Sequence, residues 1–144
     1  MLYNVYKFVI IITSLLWNST SLANSTSAWG YGDLKLSNNV IEAFINYIHG
    51  KDSKRPELFA VSTDGANLMY YYCAHGHNCG GGHEGILREC ENYSRQYGAG
   101  EKCFIFARSR TVKWDNGISK NTKFKSKMSG SEIRAKLKEI GFVD

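Results

Sequence analysis

LFAVSTDGANLMYYYC, residues 58–73, holds two runs of strand-forming residues on either side of an Asp-Gly pair. Leu58 to Ser62 and Leu68 to Tyr72 are rich in β-branched and aromatic side chains, and Gly65 accepts the positive φ that a tight reversal requires. The stretch therefore reads as a β-hairpin. Along the second strand Tyr70 and Tyr72 share one side and Tyr71 takes the other, so at least one side faces a core.

Upstream, Val40, Ile41, Phe44, Ile45 and Ile48 recur at the spacing of one helix face, with Ser37 or Asn38 to cap its first amides and Gly50 to end it. Lys51 to Arg55 is a charged loop between this helix and the hairpin. Downstream, a second amphipathic helix is expected with Ile86, Leu87, Cys90, Tyr93 and Tyr97 on its apolar face, stopped by Gly98 and Gly100. Cys103 to Ala107 and Thr111 to Trp114 read as a further strand pair turned by Arg108 to Arg110. The polar residues 118–128 read as a linker. Ser129-Gly130-Ser131-Glu132 fits a capping box before a last helix whose apolar residues are Ile133, Leu137 and Ile140, with Gly141 and Phe142 as its closing turn.

The order helix, strand, strand, helix, strand, strand, helix predicts an α+β domain: three helices on a small, mainly antiparallel sheet of about four strands. A doubly wound sheet is excluded, because no Gly-rich phosphate loop sits between a strand and a helix and the crossover units are too few. With 43% hydrophobic and 13% aromatic residues the chain is neither disordered nor fibrous. The organisation expected is a signal peptide and flexible start over residues 1–28, the flexibility running on through Gly32, and a single domain over 29–144. The apolar run Phe8 to Trp17, after Lys7, is about half the roughly 20 residues that a spanning helix needs. Small residues follow, so cleavage after Ala23 or Ala28 is expected, leaving no stable membrane span.

Export decides the reading of the four cysteines, Cys73, Cys79, Cys90 and Cys103. In an oxidising compartment an even count means disulfides, and four cysteines allow three connectivities. Pairing Cys73 with Cys79 and Cys90 with Cys103 is preferred. It closes the glycine-rich loop and ties the second helix to the third strand. The alternative joins Cys73 to Cys103 and Cys79 to Cys90. The same loop carries His75, His77 and His83, side chains that zinc or copper would accept, so a metal-binding protein or metal-dependent enzyme is the competing reading; otherwise no cofactor is expected. The spacing matches no zinc module, and disulfides would consume the thiolates.

Net charge is +5 and unevenly placed: Arg108, Arg110, Lys113, Lys120, Lys123, Lys125 and Lys127 face a single acid, Asp115. Arg108, Arg110, Lys113, Lys123 and Lys125 are the candidate anion-binding residues, suited to an anionic envelope component, with another protein as the other partner expected. No residue is singled out as catalytic, and the reading is of a non-enzymatic binding protein.

The ordered set Leu58 to Gly65, Tyr71-Tyr72-Cys73, Cys90-Glu91, and Cys103 to Ala107 ahead of Val112-Lys113-Trp114 resembles small exported proteins of Gram-negative bacteria, in which a strand ending Asp-Gly precedes a Tyr-Tyr-Cys strand, a Cys-bearing helix and a C-x-x-F-A…W hairpin. The ending Leu137 to Phe142 is similar too. The resemblance brings no activity with it; it implies a periplasmic or secreted protein. The three-histidine loop is not part of that pattern.

Overall fold

The computed structural model describes residues 27–74, 77, 79 and 82–144. The expected signal sequence through Ala23 and the side chain of His75 lie outside these. Helix α1 (Asn38–His49) leads into strands β1 (Arg55–Ser62) and β2 (Leu68–Cys73). Then follow helix α2 (Glu84–Tyr97), strands β3 (Cys103–Arg108) and β4 (Thr111–Val112), and helix α3 (Gly130–Glu139). The four strands form one antiparallel sheet in the order β2-β1-β3-β4.

Strand alternation sorts the core into two layers. Phe59, Val61, Tyr70, Phe104 and Phe106 point to the face covered by α1 and α3, whereas Leu58, Ala60, Met69, Tyr71 and Ile105 point to the face covered by α2. One bulge adjusts this pattern. Phe59 and Ala60 pair with Ala107 and Ile105, so Phe106 is the extra residue, and both it and Ala107 reach the larger core.

Both helices of the larger layer are made as their sequences suggest. Ser37 Oγ accepts the Val40 amide at 3.5 Å to start α1. The α3 capping box is complete: Ser129 Oγ accepts the Glu132 amide and the Glu132 carboxylate accepts the Ser129 amide. At the far end Gly141 turns left-handed at φ 85°, and its amide and that of Phe142 donate back to the Lys138 and Leu137 carbonyls. Phe142 is thereby folded onto Phe106, ring centres 4.9 Å apart. Leu137 and Ile133 are fully buried, and Arg134 is ion-paired with Glu42 of α1.

Three readings of the sequence need correction. In α2 the buried residues are Ile86, Cys90 and Ser94, while Tyr93 and Tyr97 are 45% and 64% exposed. The buried line takes every fourth residue, Ile86, Cys90 and Ser94, and the two tyrosines stand on its exposed flank. The stretch Trp29 to Gly32 is not a flexible start: it runs alongside β3, bridging Ile105 and Asp115. Residues 118–128 connect β4 to α3 but are no passive linker, since Phe124 is buried against Phe44 and Ser119 is wholly enclosed.

The disulfides are Cys73–Cys79 and Cys90–Cys103. By the chain-entropy estimate a bridge closing a loop of about 15 residues contributes roughly 3 kcal/mol, so the second matters to a helix that buries so little of itself. Among the described residues no helix is long and apolar enough to cross a membrane.

Candidate anion-binding hollow

Where α1 ends at Gly50, the chain reverses before β1. The Lys54 amide donates to the Lys51 carbonyl at 2.8 Å, and the Lys51 amide faces the Lys54 carbonyl at 3.4 Å. Between them Asp52 and Ser53 both have positive φ, 48° and 61°. That is the mirror-image two-residue turn, normally built with Asn, Asp or Gly; Asp52 suits it and Ser53 is the strained position. It sets Lys51 and Lys54 directly across from each other, an opposition of like charges that is destabilising. Local strain and local repulsion thus coincide in one turn.

A second element completes the hollow. Arg110, in the β3–β4 turn, donates from Nε to the Ile48 carbonyl at 2.7 Å, which satisfies an end carbonyl of α1 and anchors the guanidinium beside Gly50. His49 closes one side through a 2.8 Å contact of Nε2 with the Met128 carbonyl; because a carbonyl only accepts, Nε2 carries the proton. The hollow so formed has a volume of about 350 Å³, and Lys51, Lys54, Arg55 and Arg110 line it with one carboxylate, Asp52. Among the described residues none of these four cations has an ion-pair partner, unlike Arg108, which lies 3.9 Å from Glu57, and Lys120, 3.3 Å from Asp115. Arg110 is held by the Ile48 carbonyl and Arg55 donates to Cys73 Sγ at 4.0 Å, but neither meets a carboxylate, and ammonium and guanidinium groups so placed suit phosphate, sulfate or carboxylate oxygens.

The basic stretch read from the sequence is split by the fold. Arg110 joins the hollow, and Ser126, flanked by exposed Lys125 and Lys127, lines its rim. Arg108 is engaged with Glu57. Lys113 donates to Asn121 Oδ1 at 2.8 Å and lies in a different depression with Trp29 and Tyr31. Lys123 is held at the sheet edge by its bridge to Thr111, and its carbonyl receives Lys136 Nζ. Lys51, Lys54 and Arg55 were not marked as binding residues, although the run KDSKR displays their charge. Their partner Arg110 is more than fifty residues further along the chain.

Around the disulfide loop, His83 packs edge-on against Trp29, ring centres 4.7 Å apart, and His77 is exposed. Among the described residues no group of three or more His, Cys, Asp or Glu is placed to hold a metal ion. All four thiols are in disulfides, which removes the thiolate ligands. Trp114 and the tyrosines of β2 form no shared platform: Trp114 is buried, with Nε1 donating to the Gly32 carbonyl at 2.8 Å, while Tyr70 and Tyr72 pack around Tyr47. Burial raises the Tyr72 hydroxyl to about 12, so it stays protonated and donates to the Asn46 carbonyl at 3.0 Å.

Comparison with protein-family models, with curated proteins and with solved structures finds no match to this chain.

Proposed function

We propose that this chain is an exported, periplasmic or secreted, non-enzymatic binding protein whose basic hollow holds an anionic group of its partner. The observation that carries the reading is the set Lys51, Lys54, Arg55 and Arg110, gathered from two separate turns around one concavity without ion-pair partners among the described residues. Export is supported by the short apolar run Phe8 to Trp17 ahead of Ala23, by two disulfides, and by the resemblance to exported proteins of Gram-negative bacteria. The opposition of Lys51 and Lys54 fits the same reading, since a bound anion relieves the repulsion between the two lysines.

Retention on an immobilised acidic glycan such as heparin tests the proposal, with the salt concentration needed for elution as the readout. The double variant Lys51→Gln/Lys54→Gln is expected to elute at clearly lower salt than wild type. Lys113→Gln/Lys120→Gln removes equal charge elsewhere and should shift elution much less. Equal shifts for the two would mean that only net charge is being read and would remove the hollow from the argument.

A further inference from the structure

The two edges of the sheet are treated differently. Beyond β4, residues 121–124 close the edge: the Val112 amide donates to the Thr122 carbonyl at 2.9 Å, and the Phe124 amide to the Arg110 carbonyl at 2.7 Å. β2, at the opposite edge, has no main-chain partner on its outer side among the described residues. Its own sequence carries neither of two usual protections of an edge, for LMYYYC contains no charge and no proline.

Which groups point outward follows from the pairing. The Ser62 amide donates to the Asn67 carbonyl at 2.9 Å, so Ser62–Asn67 and Ala60–Met69 are the bonded pairs of the ladder. The amides and carbonyls of Leu68 and Tyr70 then face away from β1, free to pair. A groove of about 760 Å³ runs along this edge, lined by Leu68 to Tyr72. Because Arg55 pairs with Cys73, the Lys51–Lys54 turn stands at the Cys73 end of the groove, and Lys51 and Lys54 line both the groove and the basic hollow. Glu57, also on the groove, has Arg108 beside it.

We propose that the free edge of β2 takes up an extended peptide segment as a fifth strand, with the segment's C-terminal carboxylate held by Lys51 and Lys54. The aromatic and aliphatic side chains of β2 flank the added strand. Both lysines stand at one end of the groove, with Asp52 offsetting one of their two charges, and a single positive site at one end fits a chain terminus better than acidic side chains spread along the segment. Main-chain hydrogen bonds supply affinity in this mode and flanking pockets supply selectivity. With its C-terminus at the Cys73 end, the bound segment runs parallel to β2. The charged end of this proposal rests on the anion-binding reading of the hollow; the strand addition does not.

The probe is a short acetylated peptide of alternating valine and threonine with a free C-terminal carboxylate, compared with its C-terminal amide. Binding is measured by fluorescence anisotropy, and amide exchange of the wild-type protein by NMR. The carboxylate peptide should slow exchange at Leu68 and Tyr70 while leaving the already bonded amide of Met69 little changed, and the amidated peptide should bind at least about tenfold more weakly, a loss of ~1.4 kcal/mol. Lys51→Gln/Lys54→Gln should erase the difference between the two peptides. Leu68→Pro removes an outward amide that no hydrogen bond among the described residues uses and should weaken both. Slowed exchange without discrimination between the peptides would overturn the carboxylate clamp. Absent protection at Leu68 and Tyr70, with the glycan result intact, would overturn strand addition and leave the hollow standing. Protection that grows with protein concentration and needs no peptide would also overturn the proposal, since the occupant would then be a second copy of this chain.

Discussion

Gly65 lies between β1 and β2, and its carbonyl accepts the amide of Ser37 at 2.9 Å, so one residue joins the hairpin to the start of α1. Its φ is 69°, and a Cβ there would stand 1.8 Å from the Lys35 carbonyl oxygen. Gly32 has a similar φ, 86°, but a Cβ there meets nothing within 4 Å. The two positions separate backbone strain from steric conflict. Alanine in left-handed backbone costs about 1–2 kcal/mol, which is the whole expected effect of Gly32→Ala. Gly65→Ala must also push apart two segments of main chain and should cost clearly more, read from denaturant midpoints at unchanged slope. Equal losses would show that the close approach of Lys35 is unimportant. The turn at Gly65 was legible because Asp-Gly between apolar runs is a local signal. The conflict with Lys35 was not, because the contact joins residues thirty positions apart.

At the scale of elements, α1 and α3 were read correctly, down to the caps, because each buries a single face and carries its stop signals within its own sequence. α2 was read with its apolar face rotated. Ile86 and Cys90 face inward as the expected stripe requires, but small Ser94 continues the buried line and Tyr93 and Tyr97, apolar by composition, stand in solvent. For α3 the cap has a consequence in pH. The Ser129 amide and hydroxyl hold the Glu132 carboxyl below its ordinary value. A carboxyl depressed in the folded chain stabilises the fold fully above its unfolded value, and the contribution is lost as pH falls through the folded value. Glutamine at 132 can still accept the Ser129 amide but carries no charge. Glu132→Gln should therefore melt below wild type near neutral pH, and the gap should narrow as pH falls below the ordinary carboxylate range. A gap that stays constant with pH would assign the loss to geometry and not to charge.

On the scale of the whole molecule, the sheet is completed by a segment that has no strand signature. Residues 28–32 lie between β3 and the chain after β4. The Ile105 amide donates to the Ala28 carbonyl at 2.7 Å, the Gly30 amide to Ile105 at 3.2 Å, the Asp115 amide to Gly30 at 3.0 Å, and the Gly32 amide to Asp115 at 2.8 Å. A Cβ on Gly30 would fall within 1.9 Å of the Trp114 ring, so glycine is what permits this passage. Glycines next to aromatic residues read as a loose start in the sequence, because their partners lie more than seventy positions away. The same distance in sequence hid the basic hollow. If the chain is exported as proposed, this docking bears on the choice between Ala23 and Ala28 as the end of a signal peptide. Cutting after Ala28 would remove the carbonyl that Ile105, a fully buried residue, uses, and would put a charged amino group at Trp29. Leaving a buried amide unsatisfied costs about 1–3 kcal/mol. On that proposal, N-terminal sequencing of the mature protein is expected to begin at Asn24. Of two recombinant forms, one starting at Asn24 and one at Trp29, the longer should be the more stable by that amount. Identical stabilities would mean that the Ala28–Ile105 bond contributes nothing, and both cleavage sites would then be structurally equivalent.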